Sequence, residues 1–198
     1  MNDIWAIILA AGASTRMKQQ KMLLSYNRST IIETVINTIS GVLKENIVVV
    51  LGSHRKEIES KIEHANIKIS VNENYLDGML SSVICGFGTL PANAKAALIF
   101  LGDQPQISGD VVKKITEAWL ESGKGIVIPT FHRRRGHPAL IETKYRTEIE
   151  NLDPEKGLRS LYQKFTSDIL EVECNFPEIL RDIDTPDDYK MEINLNQK

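Results

Sequence analysis

A chain of 198 residues, 42% apolar and 25% charged, has the length of one globular domain with a full hydrophobic core. Its formal net charge of −2 gives no bulk attraction to nucleic acid or to an anionic membrane, so bound anions must be met by local clusters of cations. No apolar stretch reaches the ~20 residues of a membrane span, no basic segment precedes the first apolar run, and Cys85 and Cys174 have no metal-ligand or pairing pattern; together these predict a reduced, cytoplasmic protein.

The first strong signal is Ile4–Leu9, an apolar run suited to a strand buried on both faces of a parallel sheet. It stops at Ala10-Ala11-Gly12, where nearly bare backbone lets amide groups approach a ligand closely. Ser14 and Thr15 follow, then Arg16, Lys18 and Lys21. A buried strand, a small-residue turn and a cationic loop make an anion site suited to phosphates. An ordinary strand-to-helix turn with solvated basic residues satisfies the same pattern. Two better-known phosphate motifs are excluded. Met17 stands where a P-loop needs its second glycine, and Ser14 stands where the dinucleotide fingerprint G-x-G-x-x-G needs its own.

Further along, Thr30–Leu43 carries Ile31, Ile32, Val35, Ile36, Ile39 and Leu43 at helical spacing, with Ser29 or Thr30 as cap. Ile47–Leu51 reads as a second buried strand ended by Gly52. Ile58, Ile62 and Ala65 mark a helix, and Ile67–Val71 alternates as a third strand. This order predicts a parallel sheet with right-handed crossovers. A polar turn, Asn72–Ser82, leads into a helix running to about Phe87, with Ser81 or Ser82 as its cap. Ala96–Leu101 is the fourth buried strand, and Asp103 follows it, where open α/β sheets place ligands. A lone aspartate there is more commonly an Asx-turn, but here the strand is wholly apolar and a cationic loop already stands upstream. Ser108 caps a helix with Val111, Val112, Ile115, Ala118 and Trp119 on its apolar face.

Gly125–Pro129 is a fifth strand, and Phe131–Ile141 reads as a two-strand excursion with a basic tip at Arg133–Arg135. Three arginines in a turn are either a solvated loop or a clamp for a multiply charged phosphate. The cluster is too short, and too poor in aromatics, for a nucleic-acid face. His132 and His137 lack the acidic or cysteine neighbours of a zinc site. Asp153–Arg159 opens a helix bearing Leu158, Leu161 and Phe165, and Ile169–Val172 adds an edge strand. In Arg181–Tyr189, Thr185 as cap, Pro186 at the first helical position and two first-turn acids explain Asp187 and Asp188, but leave Asp182 and Asp184 without a local role. The tail after Met191 is expected to fray. With no repeat or linker, residues 1–198 are expected to form a single domain.

Five of these stretches carry a resemblance. Leu9-Ala10-Ala11-Gly12-x-Ser14-x-Arg16-Met17-x-x-x-Lys21 resembles the opening signature of the MobA-like nucleotidyltransferases, L-A-[AG]-G-x-S-x-R-M-G-x-x-K, with Lys18 in place of the family's glycine. Asn72, Gly78, Met79 and Ser82 match N-x-x-x-x-x-G-M-x-x-S, Leu101–Pro105 matches the second signature, Gly136-His137-Pro138 matches G-H-P, and the run from Asp182 to Asp188 matches D-[IV]-D-T-P-x-D. The resemblance implies a three-layer, Rossmann-like (GT-A-like) α/β fold with a mostly parallel central sheet. It further implies transfer of a nucleotidyl group with release of pyrophosphate. Leu9, Ala10, Ala11 and Gly12 with Arg16 and Lys21 would hold the triphosphate. Asp103, with Asp184, would hold Mg²⁺. Asn72, Gly78 and Ser82, and Gly136, His137 and Pro138, would border the base or the acceptor.

L-A-A-G together with G-H-P resembles the members that act on the molybdenum cofactor with CTP, whereas guanylyl-transferring relatives have L-A-G-G. A methyl group at Ala11 against the larger purine is worth only about 1–3 kcal/mol. The implied partners are CTP, a molybdopterin-type phosphate acceptor and a recipient molybdoenzyme. Two other readings compete: a sugar or polyol phosphate as acceptor, and a non-catalytic carrier of nucleotide or cofactor. Gly102-Asp103-Gln104-Pro105 in place of D-A-x-R-P weighs against the first, and Asp103 with Asp184 against the second.

Overall fold

The computed structural model describes residues 3–17 and 19–196; the expectation attached to Lys18 lies outside the described residues. The first apolar run forms β1 (Ile4–Ala10), with every residue buried. It pairs in parallel with β4 (Ile47–Leu51) on one side and β6 (Ala96–Leu101) on the other. β4 carries β5 (Lys68–Val71), also parallel. The order across the main sheet is β10-β7-β9-β6-β1-β4-β5, with β7 at Ile126–Phe131, β9 at Ala139–Glu142 and β10 at Ile169–Glu173. A two-stranded hairpin, β2 (Ser25–Tyr26) and β3 (Ser29–Thr30), stands apart.

Three layers follow from alternation along β1. Ile4, Ala6, Ile8 and Ala10 face α1 (Ile31–Leu43), α2 (Arg55–Ile62) and α4 (Gly109–Ser122). Trp5, Ile7 and Leu9 face α3 (Met79–Thr89), α5 (Arg146–Glu150) and α6 (Leu158–Lys164). Thr30 starts α1 through a reciprocal capping box with Glu33. The last helix, α7 (Pro186–Asn196), lies outside these layers: Ile183, Tyr189 and Ile193 close over Met17, Tyr26 and Ile31. The architecture is α/β with a mostly parallel sheet.

Four expectations change. The stretch after β7 is not a separate two-strand excursion. β8 (Arg134–Arg135) folds back on β7 through left-handed His132 and Arg133, a two-residue turn that matches strand twist. β9 then enters the main sheet antiparallel between β6 and β7. Neither Ser81 nor Ser82 caps α3; Gly78 occupies that position with φ +96°, a conformation natural to glycine. Ser108 stands at the start of α4 without a side-chain cap bond. Finally, the tail beyond Met191 does not fray there, because α7 continues to Asn196.

Candidate active site

β1 and β6 lie side by side and parallel, so their carboxyl ends bring Leu9, Ala11 and Gly12 next to Leu101 and Asp103. The Gly102 amide donates to the Leu9 carbonyl (3.0 Å), which locks the two ends together. Beyond Gly12 the chain turns at Ser14, which takes a left-handed φ of 52°. The Ser14 hydroxyl donates to Gln20 Oε1 (2.9 Å) and accepts from the Lys21 amide (3.3 Å). Gln20 Oε1 also accepts from the Met22 amide. This small network fixes the single turn Lys21–Leu23 and turns the Lys21 side chain inward.

The Lys21 ammonium donates to Asp103 Oδ2 and, at 2.9 Å, to Asp184 Oδ1. Arg16 Nη2 donates to Asp184 Oδ2, also at 2.9 Å. Side-chain exposure rises along this chain of charges, from 11% at Lys21 and 14% at Asp103 to 32% at Asp184 and 69% at Arg16. Burial works against the Lys21 charge, but the two carboxylates outweigh it and hold the ammonium above its ordinary pKa. Burial likewise pushes Asp184 up, while Lys21 and Arg16 prevail and hold it below the usual carboxylate value. Asp103 Oδ1 is shut off from water without a hydrogen-bond partner. Asp182 beside it accepts from Gln104 Nε2 at 2.7 Å. The Ile183 amide donates to the Asp103 carbonyl (3.2 Å), so the segment with both acids is tied to the end of β6.

These groups line a cavity of about 370 Å³, to which Gly78, Met79 and Ser82 at the start of α3 also contribute. Asn72 does not line it: its Nδ2 donates to Ser81 Oγ (2.8 Å) and Ser82 Oγ (3.0 Å), and its Oδ1 accepts from the Asn74 amide. It orients the serines from behind. Ala10 turns its methyl into the core on the α1 side. Gly136 and His137 border a second, larger cavity of about 860 Å³ that shares Met79 with the first. A Cβ at Gly136 would lie 2.4 Å from the Ile179 carbonyl oxygen, so only glycine fits. His137 Nδ1 lies 3.4 Å from the Ile99 carbonyl, and burial pushes its pKa down against that contact. Pro138 follows a cis peptide bond and does not line the cavity. Sequence reasoning missed Tyr75 and Met22 in the small cavity and the Pro154–Thr166 wall of the large one. Asp182, left without a role, also reaches the small cavity; its alternation with Asp184 was the available signal.

Asp103 and Asp184 offer hard carboxylate oxygens, and the unpartnered Asp103 Oδ1 fits a divalent cation. Among the described residues no group of three or more His, Cys, Asp or Glu side chains is gathered for a metal. Two carboxylates make only part of a coordination shell, and Mg²⁺ beside phosphates is commonly bound through one or two carboxylates with the rest supplied by water and phosphate.

The fold and this site define a class of protein: the MobA-like NTP transferase domain family matches residues 6–169, and the chain belongs to it. Among its relatives is the molybdenum cofactor cytidylyltransferase of Escherichia coli K12, 31% identical over 191 residues that span 96% of this chain and 95% of that protein. The fold is shared with a nucleotidyl transferase from Methanothermobacter, with a TM-score of 0.84, 21% identity and complete coverage of both chains. It is also shared with a Mycobacterium tuberculosis H37Rv protein solved in complex with manganese, with a TM-score of 0.80, 22% identity and coverage of 97% of this chain and 98% of that one. No helix among the described residues is long and apolar enough to cross a membrane.

Proposed function

We propose that this protein is a cytoplasmic, Mg²⁺-dependent cytidylyltransferase that moves CMP from CTP onto the phosphate of a molybdopterin-type acceptor and releases pyrophosphate, in one domain spanning residues 1–198. The observation that carries it is the paired arrangement of Lys21 and Arg16 with Asp103 and Asp184 at the joined ends of β1 and β6. Family membership supports the class of reaction. The Escherichia coli relative supports the base and the acceptor.

In this reading the backbone of Leu9–Gly12, with Arg16 and Lys21, holds the triphosphate, and Gly78 and Ser82 border the nucleotide while Asn72 sets the serine. Asp103 and Asp184 would hold Mg²⁺, which would supply charge neutralisation at the phosphate oxygens. The acceptor monoester, with a second pKa of about 6, is already largely dianionic near neutrality. No general base is needed, and the residues act by orienting the nucleophile in line and stabilising charge on the transferring phosphoryl group. Gly136 and His137 in the large cavity stand on the acceptor side, with Pro138 shaping their approach.

Thermal stabilisation by CTP, GTP, ATP and UTP, each with and without Mg²⁺, tests the nucleotide. A ligand at about 100 times its dissociation constant adds about 2.7 kcal/mol to the folded state. A Mg²⁺-dependent shift confined to CTP, followed by pyrophosphate release with the molybdenum cofactor, is the expected result. A GTP preference would overturn the base assignment, and no shift with any nucleotide would overturn the enzyme reading.

A further inference from the structure

Lys21 occupies the place between the two carboxylates that a divalent cation would need. Its ammonium contacts Asp103 Oδ2 and lies 2.9 Å from Asp184 Oδ1. Arg16 covers the other oxygen of Asp184. Two cations and two carboxylates thus neutralise each other, and the third carboxylate of the cavity, Asp182, is held aside by Gln104 Nε2 at 2.7 Å, so a free metal ion finds both oxygens that face it between Asp103 and Asp184 already taken by cations. Displacing Lys21 without a replacement would strand an ammonium whose side chain is only 11% exposed, and an unpaired charge in such a position is strongly unfavourable.

A triphosphate changes the balance. It offers oxygens to both cations, and the flexible stem of lysine lets its head group move from one set of acceptors to another. With Lys21 drawn onto phosphate, Asp103 and Asp184 present unpaired oxygens, beginning with Asp103 Oδ1, which has no partner to give up. We infer that Lys21 is a tethered stand-in for the divalent cation: the site refuses free metal and takes metal and nucleoside triphosphate together as a chelate. This rests on the nucleotidyltransferase reading of the same site.

Binding of Mn²⁺ to the full chain, followed by the relaxation enhancement of water protons, reads metal on the protein without any turnover. Wild type is expected to bind Mn²⁺ weakly alone and firmly once CTP is added. Lys21→Met is expected to take up Mn²⁺ without nucleotide about tenfold tighter than wild type, and Lys21→Arg, which keeps the charge, to stay refractory. Equal Mn²⁺ affinity in wild type and Lys21→Met would overturn the inference. If Lys21→Met fails to fold, the wild-type comparison decides alone: equal affinity with and without CTP overturns it. Pyrophosphate release is measured separately. An absence of release in a chain with the expected Mn²⁺ behaviour sinks the enzyme reading and leaves the stand-in intact, whereas release from a chain that binds free Mn²⁺ firmly does the reverse.

Discussion

Arg16 and Lys21 carry the same charge five residues apart, yet their surroundings assign them different physical costs. The Arg16 side chain is 69% exposed and its ion pair with Asp184 is in contact with solvent, where such pairs add little to stability. Arg16→Ala should therefore change the unfolding free energy by no more than about 0.5 kcal/mol while lowering pyrophosphate release about 10²–10³-fold; urea unfolding beside a coupled phosphate assay checks both. Equal losses in the two would assign Arg16 a merely structural role. His137 allows a test by pH. Burial, opposed by the Ile99 carbonyl and by Asp182 and Asp103, leaves its folded pKa below the ordinary 6.5. Above pH 6.5 both folded and unfolded chains hold it neutral, so it contributes no pH slope there. Below that value the unfolded chain binds the proton first, and stability falls with pH until the folded pKa is reached. His137→Gln should flatten this slope in urea unfolding carried from about pH 7.5 to about 5.5; an unchanged slope would remove His137 as its source.

Single elements place these residues, and α7 shows how. Asp188 Oδ2 accepts from the Asp184 amide (3.2 Å), the Thr185 amide (2.8 Å) and the Thr185 hydroxyl (2.7 Å), and the Asp188 amide donates back to Thr185 Oγ1. The cap of the helix and the seat of Asp184 are thus one structure. Thr185→Ala should cost about 1 kcal/mol in urea unfolding and, because Asp184 loosens with it, raise the nucleotide concentration needed for half-maximal stabilisation. This cap was legible in Thr-Pro-Asp-Asp, since capping chemistry is local. The cap of α3 was not. Serine favours cap positions in general, but Asn72 holds both serine hydroxyls from the preceding loop, and Gly78 supplies the left-handed residue. A contact made by a buried side chain outside the helix leaves no trace in helix periodicity.

Across the whole molecule, the sheet divides the work between two halves. β1, β4 and β6 announce themselves as unbroken apolar runs because both of their faces are covered, so the place where Lys21 meets Asp103, at the carboxyl ends of β1 and β6, was legible from sequence. β9 gave no sign of its antiparallel entry between β6 and β7, since strand direction is set by partners far away in the chain. The Pro154–Thr166 wall was equally silent: its residues share the cavity with Ile128 of β7 and with Met79, Leu80 and Val83 of α3, all far away in the chain. The result is a small cavity built from residues between 9 and 103 together with Asp182 and Asp184, abutting a large one built mainly from the second half of the chain, with Met79 between them. If nucleotide and acceptor occupy them respectively, the two must be separable by mutation. Arg159 lines only the large cavity, and among the described residues its guanidinium makes no ion pair. Arg159→Ala should raise the KM for the phosphorylated acceptor about tenfold or more, the loss expected for one charged hydrogen bond, and leave thermal stabilisation by CTP unchanged. Arg16→Ala should weaken the CTP effect and spare acceptor binding. Loss of CTP stabilisation in Arg159→Ala would mean that both cavities serve the nucleotide, and the acceptor would then have to approach from the open side of the small one.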